Sequence, residues 1–90
     1  MKVIKIGAKW CPGCLVMKPR WKKIENELDW LETEYYDYDE DQEKVDEIGI
    51  KSSRLPVFVF VDSHGEEILR LHGEHPKDKL IDLVKKHKGK

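Results

Sequence analysis

The segment Lys9-Trp10-Cys11-Pro12-Gly13-Cys14 (KWCPGC) contains both cysteines of this 90-residue chain. It follows a run that alternates like a β-strand, residues 2–6, and it opens a run with helical periodicity. Two thiols separated by two residues are typical of a redox pair, of half a metal site or of a structural disulfide. The rest of the sequence helps to choose among these three possibilities.

Size and composition indicate one small globular domain that covers residues 1–90. Hydrophobic and charged residues each make up 39% of the chain, and 17 basic against 18 acidic residues give a net charge of -1. The charges are interspersed, without the basic stripe that a nucleic-acid-binding domain carries. No window is apolar enough for a signal peptide or a membrane span, so we expect a cytoplasmic protein that binds neither nucleic acid nor membrane.

The expected compartment bears on the role of the cysteines. A reducing cytosol disfavours structural disulfides, and a bridge across two residues closes a loop too small to stabilise the fold much. A structural disulfide is therefore the weakest of the three interpretations.

Hydrophobic periodicity predicts strands and helices in the order βαβαββα. In chain order the predicted segments are strand 2–6, helix 11–28, strand 31–39, helix 40–48, strand 57–61, strand 66–72 and helix 76–88. The apolar run 57–61 is typical of a central strand that is buried on both faces. Two crossover connections followed by a hairpin predict an α/β fold, a four-stranded mixed sheet with helices on both faces.

The first predicted helix places the two thiols differently. An apolar stripe runs down this helix through Cys14, Met17, Trp21, Ile24 and Leu28. Cys11 lies at the amino terminus, where free N–H groups and the helix dipole stabilise a thiolate. We therefore predict that Cys11 is the exposed nucleophile and that Cys14, which faces inward, is the resolving thiol.

Two neighbours of Cys11 are candidates for supporting roles. Lys9 adds a positive charge that favours the thiolate, and Trp10 offers an apolar face for docking a substrate chain. Thiol–disulfide exchange through Cys11 and Cys14 requires no bound cofactor.

A zinc site is the main alternative for the cysteine pair, since CxxC is also half of a four-ligand cluster. The remaining candidate ligands are His64, His72, His75 and His87. They form no second compact pair suited to join the cysteines, and we expect exposed turn or strand-end positions for them. The sequence therefore favours redox chemistry over a metal site.

The segment Trp10-Cys11-Pro12-Gly13-Cys14, together with Pro19, Pro56 and Gly73, resembles the thioredoxin family over nearly the whole chain. The resemblance implies a three-layer α/β/α sandwich and thiol–disulfide oxidoreductase activity. It also implies a cis peptide bond at Leu55-Pro56 beside Cys11. Substrate-binding positions carried over from the family are Trp10, Pro12, Gly13, Leu55, Pro56 and Gly73.

The chain departs from the family pattern at several points. It resembles a minimal version of the thioredoxin-like domain, about the size of a glutaredoxin. The dipeptide between the cysteines is Pro-Gly where thioredoxin has Gly-Pro, and the loop at residues 51–54 is longer. Lys5 occupies the position of a buried aspartate that serves thioredoxins as a proton acceptor. Either Lys5 favours a Cys14 thiolate through its charge, or it reaches solvent at the strand edge.

Three functions remain open at this stage. We favour a monomeric oxidoreductase that reduces disulfide-containing proteins and is re-reduced by a thioredoxin reductase or by glutathione. A glutathione-dependent glutaredoxin is the nearer alternative, although Trp10 argues against it because glutaredoxins usually carry tyrosine or another residue there. The other alternative is a metal or iron–sulfur binding module that uses Cys11 as a ligand.

Overall fold

The computed structural model describes residues 1–90, apart from the side chain of Ser52. Four strands and three helices follow one another in the predicted order. They are β1 (Lys2–Gly7), α1 (Pro12–Glu27), β2 (Glu32–Asp37), α2 (Gln42–Ile48), β3 (Val57–Val61), β4 (Glu67–His72) and α3 (Lys77–Lys86), with a short 3-10 helix at Ser52–Arg54 before β3.

The four strands form one mixed sheet in the order β2-β1-β3-β4. Strand β1 runs parallel to β2 and antiparallel to β3, and β3 runs antiparallel to β4. The predicted α/β sandwich with a four-stranded mixed sheet is therefore confirmed. The prediction of two crossovers is wrong in one respect, because the long connection through α2 reverses the chain and places β3 beside β1 rather than parallel to β2.

Strand β3 lies at the centre of the sheet, and all five of its residues are buried. Successive side chains of a strand point to opposite faces. Phe58 and Phe60 pack with α1 and α3, whereas the valines at 57, 59 and 61 pack with Val45 of α2. The apolar run thus fills both cores, as its composition predicts.

Helix α1 positions the cysteines, and its packing is largely as predicted. Met17, Trp21 and Ile24 are buried, and the ring centroids of Trp21 and Phe58 lie 5.3 Å apart. Pro12 occupies the first turn, where a proline costs no hydrogen bond, while Pro19 lies inside the helix. The apolar stripe therefore fixes the carboxyl half of α1 against the sheet and carries the cysteines at the other end.

Helix α2 begins two residues later than periodicity predicts, because carboxylates organise the preceding turn. The Asp37 carboxylate accepts hydrogen bonds from the N–H groups of Asp39 and Glu40 at 2.9 and 3.0 Å, and Asp41 accepts one from the N–H of Asp37 at 2.8 Å. Aspartate side chains favour such turns because they satisfy backbone N–H groups locally. The turn holds residues 38–41 out of the helix.

One histidine is not where the sequence analysis expects it. His87, at the carboxyl end of α3, is only 7% exposed, and its ring forms a T-shaped pair with that of Phe60 at a centroid distance of 6.4 Å. The expectation of an exposed position is wrong for His87, because it continues the apolar stripe of Leu80 and Val84 into the core.

Within the described part of the chain, none of the helices is both long and apolar enough to cross a membrane.

Candidate active site

Cys11 is the N-cap of helix α1. Its backbone is extended, with φ of -94° and ψ of 112°, and its sulfur accepts a hydrogen bond from the N–H of Cys14 at 3.2 Å. The N–H groups of a first helical turn have no partner within the helix, so an acceptor at this position is stabilised, more so when it carries negative charge. The predicted contact between Cys11 and the helix amino terminus is present.

Cys14 lies one turn further on, and both cysteines are free thiols. Burial raises the pKa of the Cys14 thiol to about 12, and a hydrogen bond with the Cys11 side chain adds to the effect. The protonated form therefore dominates at neutral pH, and Cys14 must lose a proton before it can attack a disulfide.

The exposure of the two cysteines differs from the prediction. Cys11 as a residue is only 6% exposed, whereas Cys14 is partly exposed. The prediction of an exposed Cys11 and a buried Cys14 is therefore wrong when the exposure of each whole residue is compared. The backbone of Cys11 is engaged on both sides, because its N–H donates a hydrogen bond to the carbonyl of Ala8 and its carbonyl accepts one from the N–H of Leu15, both at 3.2 Å.

A cis peptide bond joins Leu55 and Pro56, as the family resemblance implies. The Pro56 ring faces the active-site turn, since its Cδ atom lies 3.2 Å from where a Cβ on Gly13 would stand. The carbonyl of Pro56 accepts a hydrogen bond from the N–H of Gly73 at 2.8 Å. Gly73 has a φ of 81°, a conformation that favours glycine. Gly13, Pro56 and Gly73 thus form one wall beside the cysteines.

Trp10 lies on the surface beside Cys11. The residue is 55% exposed, and its indole N–H donates a hydrogen bond to the Asp39 carboxylate at 2.7 Å. The rings of Trp10 and Tyr38 form a T-shaped pair with their centroids 6.3 Å apart. Trp10 therefore presents an oriented apolar face to solvent. With Leu15 and Val16, it is one of the large hydrophobic residues exposed near this end of α1.

Both lysines considered for tuning the thiols are paired with carboxylates. The ammonium of Lys5 lies 2.7 Å from Glu25 of α1, and that of Lys9 lies 2.9 Å from Glu40. The hydrogen bond with Glu40 raises the pKa of Lys9. The alternative in which Lys5 extends into solvent is wrong, because its side chain is mostly buried against α1. The influence of either lysine on the thiols stays a prediction.

Two residues near Cys14 escape the sequence analysis, namely Gly7 and Tyr35. A Cβ on Gly7 would stand 3.1 Å from the Tyr35 hydroxyl and 3.2 Å from the Cys14 sulfur. A cleft of about 420 Å³ opens here, and Lys5, Gly7, Cys14 and Tyr35 are among the residues that line it. The sequence does carry a signal for these residues, because alternate side chains of a strand lie on the same face. That signal becomes useful only once the register of β2 against β1 is known.

The described residues contain no group of three or more histidine, cysteine, aspartate or glutamate side chains arranged to hold a metal ion.

A sequence model of the thioredoxin family matches residues 1–86. The chain belongs to the thioredoxin family. A search of curated proteins found no match. Members of the thioredoxin family are disulfide oxidoreductases, so the family assignment supports thiol–disulfide chemistry in general.

Solved thioredoxins share the fold. The structure is similar to that of thioredoxin from Fasciola hepatica, with 26% identity, a TM-score of 0.83, and coverage of 94% of this chain and 78% of that one. Thioredoxin NaTrxh from Nicotiana alata gives 27% identity and a TM-score of 0.83, with coverage of 94% and 70%. Mitochondrial thioredoxin 3 from Saccharomyces cerevisiae gives 25% identity and a TM-score of 0.80, with coverage of 93% and 76%.

Proposed function

We propose that this thioredoxin-family chain reduces disulfide bonds in proteins by cycling Cys11 and Cys14 between dithiol and disulfide. The observation that carries the proposal is the position of the Cys11 sulfur, which caps α1 and accepts the N–H of Cys14 at 3.2 Å. The thiolate is the form of a cysteine that attacks a disulfide, and the N-cap of a helix is a position at which negative charge is stabilised. Cys14, one turn away, is close enough to hydrogen-bond with Cys11 and hence to resolve the intermediate.

The reaction proceeds in two exchanges. The Cys11 thiolate attacks one sulfur of the target disulfide, so that a Cys11–target disulfide forms and the second target sulfur leaves as a thiolate that takes up a proton. Cys14 then loses its proton and attacks the Cys11 sulfur. The mixed disulfide breaks, the Cys11–Cys14 disulfide forms, and the remaining target sulfur leaves and is protonated. The target gains two electrons and two protons, and an external dithiol or glutathione restores the protein.

The substrate surface that we propose surrounds this pair. It comprises Trp10, Pro12, Gly13, Leu55, Pro56 and Gly73. Trp10 supplies exposed apolar area next to Cys11, and Gly13, Pro56 and Gly73 supply the wall beside the cysteines. An extended segment of a target protein would bind between them, with its backbone along Leu55. Mostly apolar contact with few polar groups suits substrates of varied sequence.

The remaining features of the proposal are the electron donor and the setting. We propose a single thioredoxin-like domain that acts as a cytoplasmic monomer, with a thioredoxin reductase or glutathione as donor and no resident cofactor. The two donors imply different enzymes, so the test must separate them.

The test is an insulin-type disulfide reduction assay, run in parallel with dithiothreitol, with thioredoxin reductase plus NADPH, and with glutathione plus its reductase. We expect turnover with dithiothreitol and with one enzymatic donor, no turnover for Cys11→Ser, and a trapped mixed disulfide for Cys14→Ser. A wild-type protein that reduces nothing with any donor would contradict the proposal.

The same assay separates the alternatives. Activity only with glutathione that survives in Cys14→Ser would identify a glutaredoxin, because a second glutathione can resolve the mixed disulfide in place of Cys14. Iron or zinc that the purified protein binds in a fixed ratio and only when Cys11 is present would identify the metal-binding module. An iron–sulfur cluster would also give the protein a visible colour.

A further inference from the structure

The side chains of Tyr35 and Cys14 both approach Gly7. The Tyr35 hydroxyl and the Cys14 sulfur lie 3.1 and 3.2 Å from the same point, the place where a Cβ on Gly7 would stand. Both polar atoms therefore border the space beside Gly7, although no hydrogen bond joins them among the described side chains, and a side chain at residue 7 would crowd both.

The sheet register accounts for this arrangement. Strand β2 pairs in parallel with β1, so that Lys5 is opposite Tyr35 and Gly7 is opposite Asp37. Alternation places Lys5, Gly7 and Tyr35 on one face of the sheet. Val3, on that same face of β1, packs against α1, which carries Cys14. Tyr35 therefore reaches across Gly7 toward the resolving cysteine from the edge strand.

The Tyr35 hydroxyl is also available as a hydrogen-bond donor. Within the described side chains no hydrogen bond engages it, whereas the hydroxyl of the adjacent Tyr36 donates to Glu34 at 2.6 Å. Tyr35 is 55% exposed as a residue, yet burial raises the pKa of its phenol, and the negative charge of Asp37 adds to this rise. At neutral pH the phenol is therefore protonated, and it is a hydrogen-bond donor.

The resolving step needs such a donor. Burial raises the pKa of Cys14 to about 12, so forming its thiolate is the costly part of resolution. The position where thioredoxins carry a buried acid holds Lys5, whose ammonium is engaged by Glu25 at 2.7 Å. A donor close to the Cys14 sulfur lowers the cost of ionisation, because hydrogen bonds to a charged acceptor are stronger than those to a neutral one.

We propose that Tyr35 is a positioning residue for the second exchange, and that its hydroxyl donates a hydrogen bond to the Cys14 sulfur as that sulfur becomes a thiolate. The proposal rests on the proposed function and deepens it. Cys14 loses its proton to water or to the departing target sulfur, and its electron pair forms the bond to Cys11. Tyr35 keeps its own proton throughout, so the atoms and electrons of the exchange are unchanged.

Other charged groups face the same region and are part of the test. Lys5 approaches from β1, Asp37 and Asp41 from the end of β2 and the turn beyond it, and Cys11 from the helix terminus. Asp37 is the competing candidate, since it lines the cleft beside Tyr35. One oxygen of its carboxylate already accepts two backbone N–H groups.

The experiment is stopped-flow reaction of the reduced protein with excess dithiobis-nitrobenzoate. Attack by Cys11 releases a first coloured thiolate at a rate that depends on reagent concentration, and attack by Cys14 releases a second at a rate that does not. We expect Tyr35→Phe to slow only the second release, by about tenfold near neutral pH, which corresponds to about 1.4 kcal/mol. The pH at which that rate is half maximal should move upward by about one pH unit.

Tyr36→Phe is the matched control, because it removes a hydroxyl from the adjacent residue of the same strand. It should leave both releases unchanged, and equal unfolding midpoints would show that all variants are folded. If the second release has the same rate and pH profile in Tyr35→Phe as in the wild type, the proposal is overturned. A second release that slows in Asp37→Asn but not in Tyr35→Phe would assign the role to Asp37. A wild type that shows no second release would instead contradict the Cys11–Cys14 cycle itself.

Discussion

The ring of Pro56 packs directly against Gly13, with its Cδ atom 3.2 Å from the place where a Cβ would stand. This contact joins the turn between the two cysteines to the loop that carries the cis peptide bond. Because the distance is shorter than a normal contact between carbon atoms, any side chain at residue 13 must displace one of these two elements.

Gly13→Ala should therefore weaken activity without unfolding the protein. Displacing the substrate wall by a few tenths of an ångström misaligns the target disulfide, and we expect kcat/KM with a protein substrate to fall by about threefold to tenfold. Gly89→Ala is the control, because a Cβ there meets no atom within 4 Å. Equal activity of the two variants in the insulin assay would show that the contact does not constrain the site.

Neutral substitutions at Lys5 and Glu25 should test the role of the lysine that stands where the family has a buried acid. Lys5→Met leaves Glu25 without its partner, and we expect a loss of about 1 kcal/mol in the free energy of unfolding, with a similar loss for Glu25→Gln. Both single variants should keep the disulfide-exchange rate within about threefold, since the carboxylate offsets the lysine charge in the native pair.

The double variant completes this test. In denaturant unfolding, Lys5→Met with Glu25→Gln should lose less than the sum of the single changes, because each single change leaves an unpaired charge. A large drop in the resolving rate for Lys5→Met alone would show instead that its charge supports the Cys14 thiolate.

Trp21 should be the most sensitive core position. Its ring is buried and packs on Phe58, and its indole N–H has no hydrogen-bond partner among the described residues. Trp21→Ala should cost about 3–5 kcal/mol in chemical denaturation, through lost burial and a cavity. Trp21→Phe should lower the free energy of unfolding clearly less, because the volume that it removes is smaller and the unsatisfied N–H group is removed with it. Similar losses for the two variants would contradict this account of the packing.

His87 should make stability depend on pH. Burial, with help from the charges of Lys90 and Lys86, lowers its pKa below the ordinary value of 6.5. The unfolded chain then binds a proton more readily than the folded one, so this contribution to stability is complete above the ordinary value and is lost as the pH falls below it.

The measurement is the unfolding midpoint from about pH 7 to about pH 5. We expect a smaller loss over this range in His87→Leu than in the wild type, since leucine keeps the contact with Phe60 and cannot be protonated. His64→Gln, at an exposed turn, should behave like the wild type. Parallel curves for the wild type and His87→Leu would contradict the prediction.

The sequence by itself determined the local structure. The order of strands and helices, the five buried residues of β3, the proline in the first turn of α1 and the cysteine that caps it can all be read from neighbouring residues. The reason is that side-chain periodicity and helix capping depend on positions only a few residues apart. The family resemblance added the cis bond at Pro56, which no local pattern predicts.

Only the tertiary structure decided which distant residues meet. The antiparallel placement of β3 beside β1, the burial of Cys11 and His87, and the pairing of Lys5 with Glu25 all depend on contacts between separate elements. The approach of Tyr35 and Cys14 to Gly7 depends on the register between two strands, and a shift of one residue would turn Tyr35 to the opposite face. Neighbouring residues carry no record of that register, because it is set by the packing of the whole sheet against its helices.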